Sequence, residues 1–261
     1  MKNVTTHAWL AVGIIGLTVA TCASFEPPAS AAGTAVQELN DGLIAYVREE
    51  PLQAFQILLP LAEKREPLAQ LIVGRLYKIG NGAPQDCGEA VKWFTRAAEQ
   101  GNAEAQFELG TFYHQGQCVA KDDRTAVIWF ERSGEKGDPR GLTTIGEIYL
   151  GHGDIPPDYV KAIDWFLRGA KLFDAEALYK LGVLHARGQG VPKDDLEAYK
   201  WFDLSASFAY PGEDQDKAFR ARDAIREDMA PAQVAEAAQR SENWLLALLK
   251  KRPAEKQYGQ K

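Results

Sequence analysis

The dipeptide Trp-Phe stands at Trp93-Phe94, Trp129-Phe130, Trp165-Phe166 and Trp201-Phe202, each pair 36 residues after the last. A fixed period of this length requires every copy to sit in the same surroundings as its neighbours, which a stack of like units supplies and a single closed core does not. The same step carries Gly74 to Gly110, Gly146 and Gly182, and Ala90 to Ala126, Ala162 and Ala198. It also carries Tyr77 to Tyr113, Tyr149 and then His185. Four copies share one template.

Residues 103–137 show what one copy does. Ala105, Leu109, Phe112 and Tyr113 recur at helical spacing, the signature of an amphipathic helix. A glycine-bearing loop, Gly116 to Asp123, precedes a second helix whose face is Ala126, Trp129, Phe130 and Ser133. Gly137 closes it in the manner of a left-handed helix cap. The unit is a helical hairpin. Its small residues let backbones approach while its rings fill the space between hairpins, and a lone hairpin cannot bury those rings. The expected fold is therefore all-α, a solenoid of stacked hairpins.

The 261 residues carry a formal net charge of −6 and an isoelectric point near 5.4. That balance argues against a phosphate-tracking basic surface and hence against nucleic-acid binding. Residues 1–31 read as an export signal: Lys2, an apolar run from Ala8 to Ala20, then small residues ending Ala29-Ser30-Ala31, with cleavage expected after Ala31. The run is shorter than the roughly 20 residues of a spanning helix, so no stable membrane insertion is expected once the signal is removed. An uncleaved anchor and a lipid on Cys22 are the alternatives. Export leaves two cysteines, Cys87 and Cys118, in an oxidising compartment, where an even count suggests a disulfide. Cys118 falls one period after Gly82, so both are placed in connecting loops on one edge of adjacent repeats; the alternative is two unpaired residues.

The pattern Ala-x-x-x-Leu-Gly-x-x-Tyr, Gly-x-Gly-Val-Pro-x-Asp, Ala-x-x-Trp-Phe resembles the Sel-one-like repeat, a relative of the tetratricopeptide repeat. Ala177, Leu181, Gly182, Gly188 to Asp194, Ala198, Trp201 and Phe202 carry it in the fourth copy, with His185 in place of its tyrosine. The third copy departs at Gly151 to Asp158, and at Phe173 where a glycine belongs, so a local irregularity is expected there. The resemblance implies a right-handed solenoid in which residues 36–66 form a leading pair. Repeats over 67–102, 103–138, 139–174 and 175–210 follow, then capping helices over 211–250 and a flexible tail over 251–261.

No catalytic, cofactor or metal constellation stands out. Gly80-Asn81-Gly82 and Gly188-Gln189-Gly190 follow no strand and complete no phosphate-binding pattern. His114, His152 and His185 lack the close spacing of metal ligands, although His114 and His152 fall near one edge of successive repeats, where a shared site is conceivable. The resemblance implies a non-catalytic scaffold for a protein or peptide partner. The first helix of each hairpin would line the groove, presenting Leu71, Phe107, Thr143 and Tyr179 in one row and Arg75, Thr111, Glu147 and Val183 in another. Some of these, Leu71 and Phe107 above all, have the alternative of packing between repeats. Exported bacterial members of the family look like periplasmic regulators or envelope components. The other readings are a purely structural envelope protein and a hydrolase of the cysteine-rich, β-lactamase-like branch, which places paired cysteines in every repeat where this chain has one pair.

Overall fold

The computed structural model describes residues 31–251, and every regular element among them is helical. The export signal expected over 1–31, and the tail beyond Lys251, lie essentially outside the described residues. Helices α1 (Ala31–Val47) and α2 (Pro51–Glu63) lead. Four hairpins follow: α3 (Pro67–Ile79) with α4 (Cys87–Glu99), α5 (Ala103–Gln115) with α6 (Asp123–Glu135), α7 (Pro139–Glu147) with α8 (Tyr159–Ala170), and α9 (Ala175–Arg187) with α10 (Asp195–Phe208). Helices α11 (Glu213–Glu227) and α12 (Pro231–Lys251) close a right-handed all-α solenoid.

Local chemistry punctuates the helices at matching positions. Asp86, Asp122, Asp158 and Asp194 cap the second helix of each hairpin, their carboxylates accepting backbone N–H groups of the first turn; each such cap contributes about 1 kcal/mol. The N–H of each of these aspartates also donates to the carbonyl of Tyr77, Tyr113, Tyr149 or His185 at 2.8–3.1 Å. The contact uses only the backbone of the fourth partner, so His185 replaces tyrosine without opening the loop. Gly80, Gly116 and Gly188 end the first helices with φ of 64 to 70°, a conformation glycine adopts without steric cost.

The central contact joins the two helices of a hairpin across 20 residues. A methyl group placed on Gly110 would lie 2.5 Å from Phe130, one on Gly146 2.5 Å from Phe166, and one on Gly182 2.6 Å from Phe202. Gly74 stands in the same relation to Phe94 with more room, 3.1 Å. Each phenylalanine ring thus lies flat against a helix backbone from which the side chain has been removed. Phe94, Phe130 and Phe166 are fully buried, and each shares a core with the following hairpin, as the edge-to-face packing of Phe94 on Phe112 shows at 5.5 Å. The adjoining tryptophans face the other way: Trp93 lies in the core of α2 and α3, and Trp129 packs on the core of α4 and α5. One dipeptide therefore ties its own hairpin to the neighbours on both sides.

The third repeat is irregular as expected. Helix α7 stops at Glu147 and the chain runs through a π-helical turn, Ile148–His152, with Gly151 at φ 101°. Phe173 sits at φ 62° where the first and second repeats have Gly101 and Gly137, a conformation costing a bulky residue on the order of 1–2 kcal/mol. Its ring stacks on Phe208 at 4.8 Å.

The unequal clearances predict unequal responses to one substitution. Gly110→Ala should lower the urea midpoint by the equivalent of about 1–3 kcal/mol of overpacking. Gly74→Ala has room for a small shift and gains about 1 kcal/mol of helix propensity, so its midpoint should stay near that of the parent.

Candidate partner-binding face and the joints between repeats

Helices α3, α5, α7 and α9 carry the eight residues selected from the sequence, and the structure divides them. Leu71 and Thr143 are buried, a correction to their expected place in the groove. Leu71 belongs to the core with Phe94 and Leu109. The Thr143 hydroxyl donates to the Asp174 carboxylate, which caps α9. Phe107 is half-buried, its ring 5.5 Å from Phe130 and covered by the Arg140 guanidinium at 4.3 Å. Thr111, Tyr179 and Val183 are partly exposed. Arg75 and Glu147 reach across to the next repeat: Arg75 pairs with Glu104 and Glu108, and Glu147 with Lys180 at 2.6 Å. Lys78 adds a pair to Glu108 at 2.8 Å. Sequence spacing gave no sign of these ion pairs, because their partners stand 29 to 33 residues apart on different helices. They fix the relative position of successive first helices and make the face a preformed surface.

Tyr179 lies between two cavities. One, of about 390 Å³, is walled by Phe173, Tyr179, Phe208 and Tyr210 and rimmed by Asp174, Glu176, Asp214 and Lys217. The other, of about 340 Å³, lies toward α8 and includes His152, Tyr159, Lys180 and Val183. Burial pushes the Asp174 carboxyl above its ordinary range, and the nearby Glu176 and Asp138 act in the same direction. Burial also holds His185 below the usual histidine value. A histidine so depressed contributes stability above its unfolded value, about 6.5, and that contribution is lost as pH falls through the folded value.

A second construction recurs where adjacent repeats meet. The first residue of α2, α4, α6 and α8 touches the loop residue 31 positions later in the next unit. The Pro51 carbonyl lies against Gly82, and Tyr159 packs on Gly190, where an added methyl group would come within 2.6 Å of its Cβ. At the joint between these two pairs, Cys87 and Cys118 form a disulfide, with Cα atoms 5.1 Å apart. Cys87 is the first residue of α4 rather than a loop residue as expected, and Cys118 holds φ 62° where Gly82 and Gly190 hold 81 and 76°. At the joint of the second and third repeats the buried Asp123 carboxylate accepts the Asp154 N–H and bonds His114 Nδ1 at 2.5 Å. The two edge histidines therefore have different surroundings, and among the described residues no group of three or more His, Cys, Asp or Glu is placed to hold a metal.

No Ser-x-x-Lys motif of β-lactam-acylating enzymes is expected beside the single cysteine pair, yet Ser133-Gly134-Glu135-Lys136 has that spacing. Its serine is fully buried and the hydroxyl donates to the Ala103 carbonyl at 2.8 Å. Ser205, two periods later, donates likewise to Ala175 at 2.7 Å. The hydroxyl is part of the repeat frame.

The pattern of the Sel1 repeat family matches residues 67–102, 103–138, 145–172 and 175–207, and the chain belongs to that family. The third match is the short one, at the irregular hairpin. A Sel1 repeat protein from Oxalobacter formigenes is similar at 27% identity and a TM-score of 0.66, covering 83% of this chain and 87% of that one. Looser structural likenesses include c5321, a protective antigen of uropathogenic Escherichia coli with an SLR fold (20% identity, TM-score 0.43, covering 88% of this chain and 66% of that one). Another is the immunity protein Pa5087 from Pseudomonas aeruginosa (12% identity, TM-score 0.45, covering 84% and 88%). No curated protein matches the chain in sequence. Sel1 repeats are protein-interaction modules, typically non-catalytic scaffolds.

Two outcomes follow for the joints and the half-buried His185. Replacing both cysteines by serine should cost about 3–4 kcal/mol by loop-closure entropy, seen as a lower urea midpoint, and the denatured parent should show no free thiol at Cys87 or Cys118. Stability of the parent should fall more steeply below pH 6.5 than that of His185→Phe, with thermal unfolding between pH 7 and 5 as the measurement.

Proposed function

We propose that the chain is an exported, non-catalytic adaptor that holds a protein partner on the face of α3, α5, α7 and α9, acting as a periplasmic regulator or envelope-complex component. The observation that carries the reading is the contrast between frame and face. Glycine, phenylalanine, tryptophan and the capping aspartates repeat with the period, whereas the partly exposed Thr111, Tyr179 and Val183 of the first helices differ from the residues one period away. Repetition serves stacking, and variation on a rigid surface is what recognition of one partner needs. The inter-repeat ion pairs support the reading, because a preorganised face loses little conformational freedom on binding.

Export is supported by the disulfide between Cys87 and Cys118, a bond that persists in oxidising compartments, and by the apolar N-terminal run. Among the described residues no helix is long and apolar enough to cross a membrane.

Affinity capture from the periplasm of the native host should return one stoichiometric partner. Tyr179→Ala combined with Val183→Arg should reduce that capture at least about tenfold, as loss of an interface anchor does, while the circular dichroism spectrum stays unchanged. Full capture by the double variant would remove the face from the reading. The exported protein should begin at Ala32 by N-terminal sequencing.

A further inference from the structure

The cavity between α9 and α11 has a chemistry of its own. Aromatic rings of Phe173, Tyr179, Phe208 and Tyr210 wall about 390 Å³, and three carboxylates, Asp174, Glu176 and Asp214, face one ammonium, Lys217. That ammonium lies 4.0 Å from the centre of the Tyr179 ring and 3.5 Å from the Glu176 carboxylate. Lys217 thus already shows how the site receives a cation: on a ring face with a carboxylate beside it, the arrangement that makes cation–π contacts effective. Among the described residues Lys217 is the cation that lines this cavity. Among the described residues Asp214 has no ion pair, Asp174 accepts the Thr143 hydroxyl and the Ala177 N–H, Glu176 also meets Lys180 at 3.3 Å, and Tyr210 stands 91% exposed at the rim.

Resting on the reading of this chain as a partner-binding scaffold, we propose that this cavity receives a lysine or arginine side chain of the protein partner, displacing or stacking beside Lys217. The excess of carboxylates selects a cationic group over an anionic one, and the ring walls cover the apolar stem that such side chains carry. Partner specificity is thereby placed at the C-terminal end of the binding face, against Tyr179.

Nuclear magnetic resonance titration of the purified protein with pentalysine amide at low salt tests the assignment. Amide shifts should concentrate at Tyr179, Phe208, Tyr210 and Lys217, and acetyl-pentaglutamate should produce none there. Tyr210→Ala with Asp214→Asn, both on exposed positions, should weaken pentalysine about threefold or more, the scale of an exposed cation–π contact together with a charge. Lys217→Met should tighten it several-fold by vacating the seat, whereas Lys136→Met, the same charge change in another repeat, should not. Equal tightening by both lysine variants, or shifts spread evenly over carboxylates elsewhere, would overturn the site. The sequence ends in a basic stretch, so Arg252→Ala/Lys256→Ala/Lys261→Ala serves as a further arm; if it tightens pentalysine as Lys217→Met does, the occupant is the chain's own tail and the partner assignment fails. A captured partner that still binds Tyr210→Ala/Asp214→Asn would refute the cavity and leave the scaffold standing. Pentalysine binding in a protein that captures no partner would refute the scaffold and leave the cavity's chemistry standing.

Discussion

The contact on which the rest depends is the phenylalanine ring laid on a glycine of the partner helix, made by Phe94, Phe130, Phe166 and Phe202. With no side chain at Gly110, Gly146 or Gly182, the second helix of the hairpin comes close enough for the ring to lie between backbone and the following unit. That closeness sets the thickness of one repeat and the direction in which the next must stack. A solenoid has no central core, so its stability is a sum over units and joints. Phe94, Phe130 and Phe166 serve both sums, closing their own hairpins and reaching the next ones.

The tryptophan beside it completes the arrangement and shows how much two adjacent residues can specify. Successive positions on a helix point about 100° apart, so one ring can face forward while its neighbour faces back. Trp93 and Trp201 are buried, whereas Trp129 and Trp165 are only partly covered by protein and lie under Arg132 and Arg168, 4.7 and 4.0 Å from the ring centres. Identical letters thus meet unlike demands along the array. The outer rings of the two middle repeats are finished by charged side chains from the next helical turn, and that of the last by Trp244 of the closing helix.

How far the sequence could be read follows from this division. The hairpins, the glycine-capped turns and the irregular third unit were legible because each rests on local chemistry or on the period. Of the residues placed on the proposed face, Tyr179 and Val183 are partly exposed but Leu71 and Thr143 are buried, since helical spacing gives the direction of a side chain and not the height of the neighbouring repeat. The ion pairs Arg75–Glu104 and Glu147–Lys180, and the role of Asp123, were illegible for the same reason. Their partners are set by how one unit leans on the next, and no short spacing encodes that lean.

The joints 31 residues apart show most directly what the lean permits. Backbone against glycine, a disulfide, a buried carboxylate and a tyrosine on glycine fill one position in four successive units. Such different chemistries are interchangeable only because the stacking contacts elsewhere already hold the two surfaces at a fixed distance. The joint is then free to take whatever bond the local environment rewards. Two of the four, the cystine and the Asp123 carboxylate with its Asp154 N–H and His114 partners, are made by side chains, while the joints on either side rest on glycine. An array assembled this way keeps a constant frame and varies the chemistry of its joints, with a disulfide between the first and second repeats and a hydrogen-bonded carboxylate between the second and third.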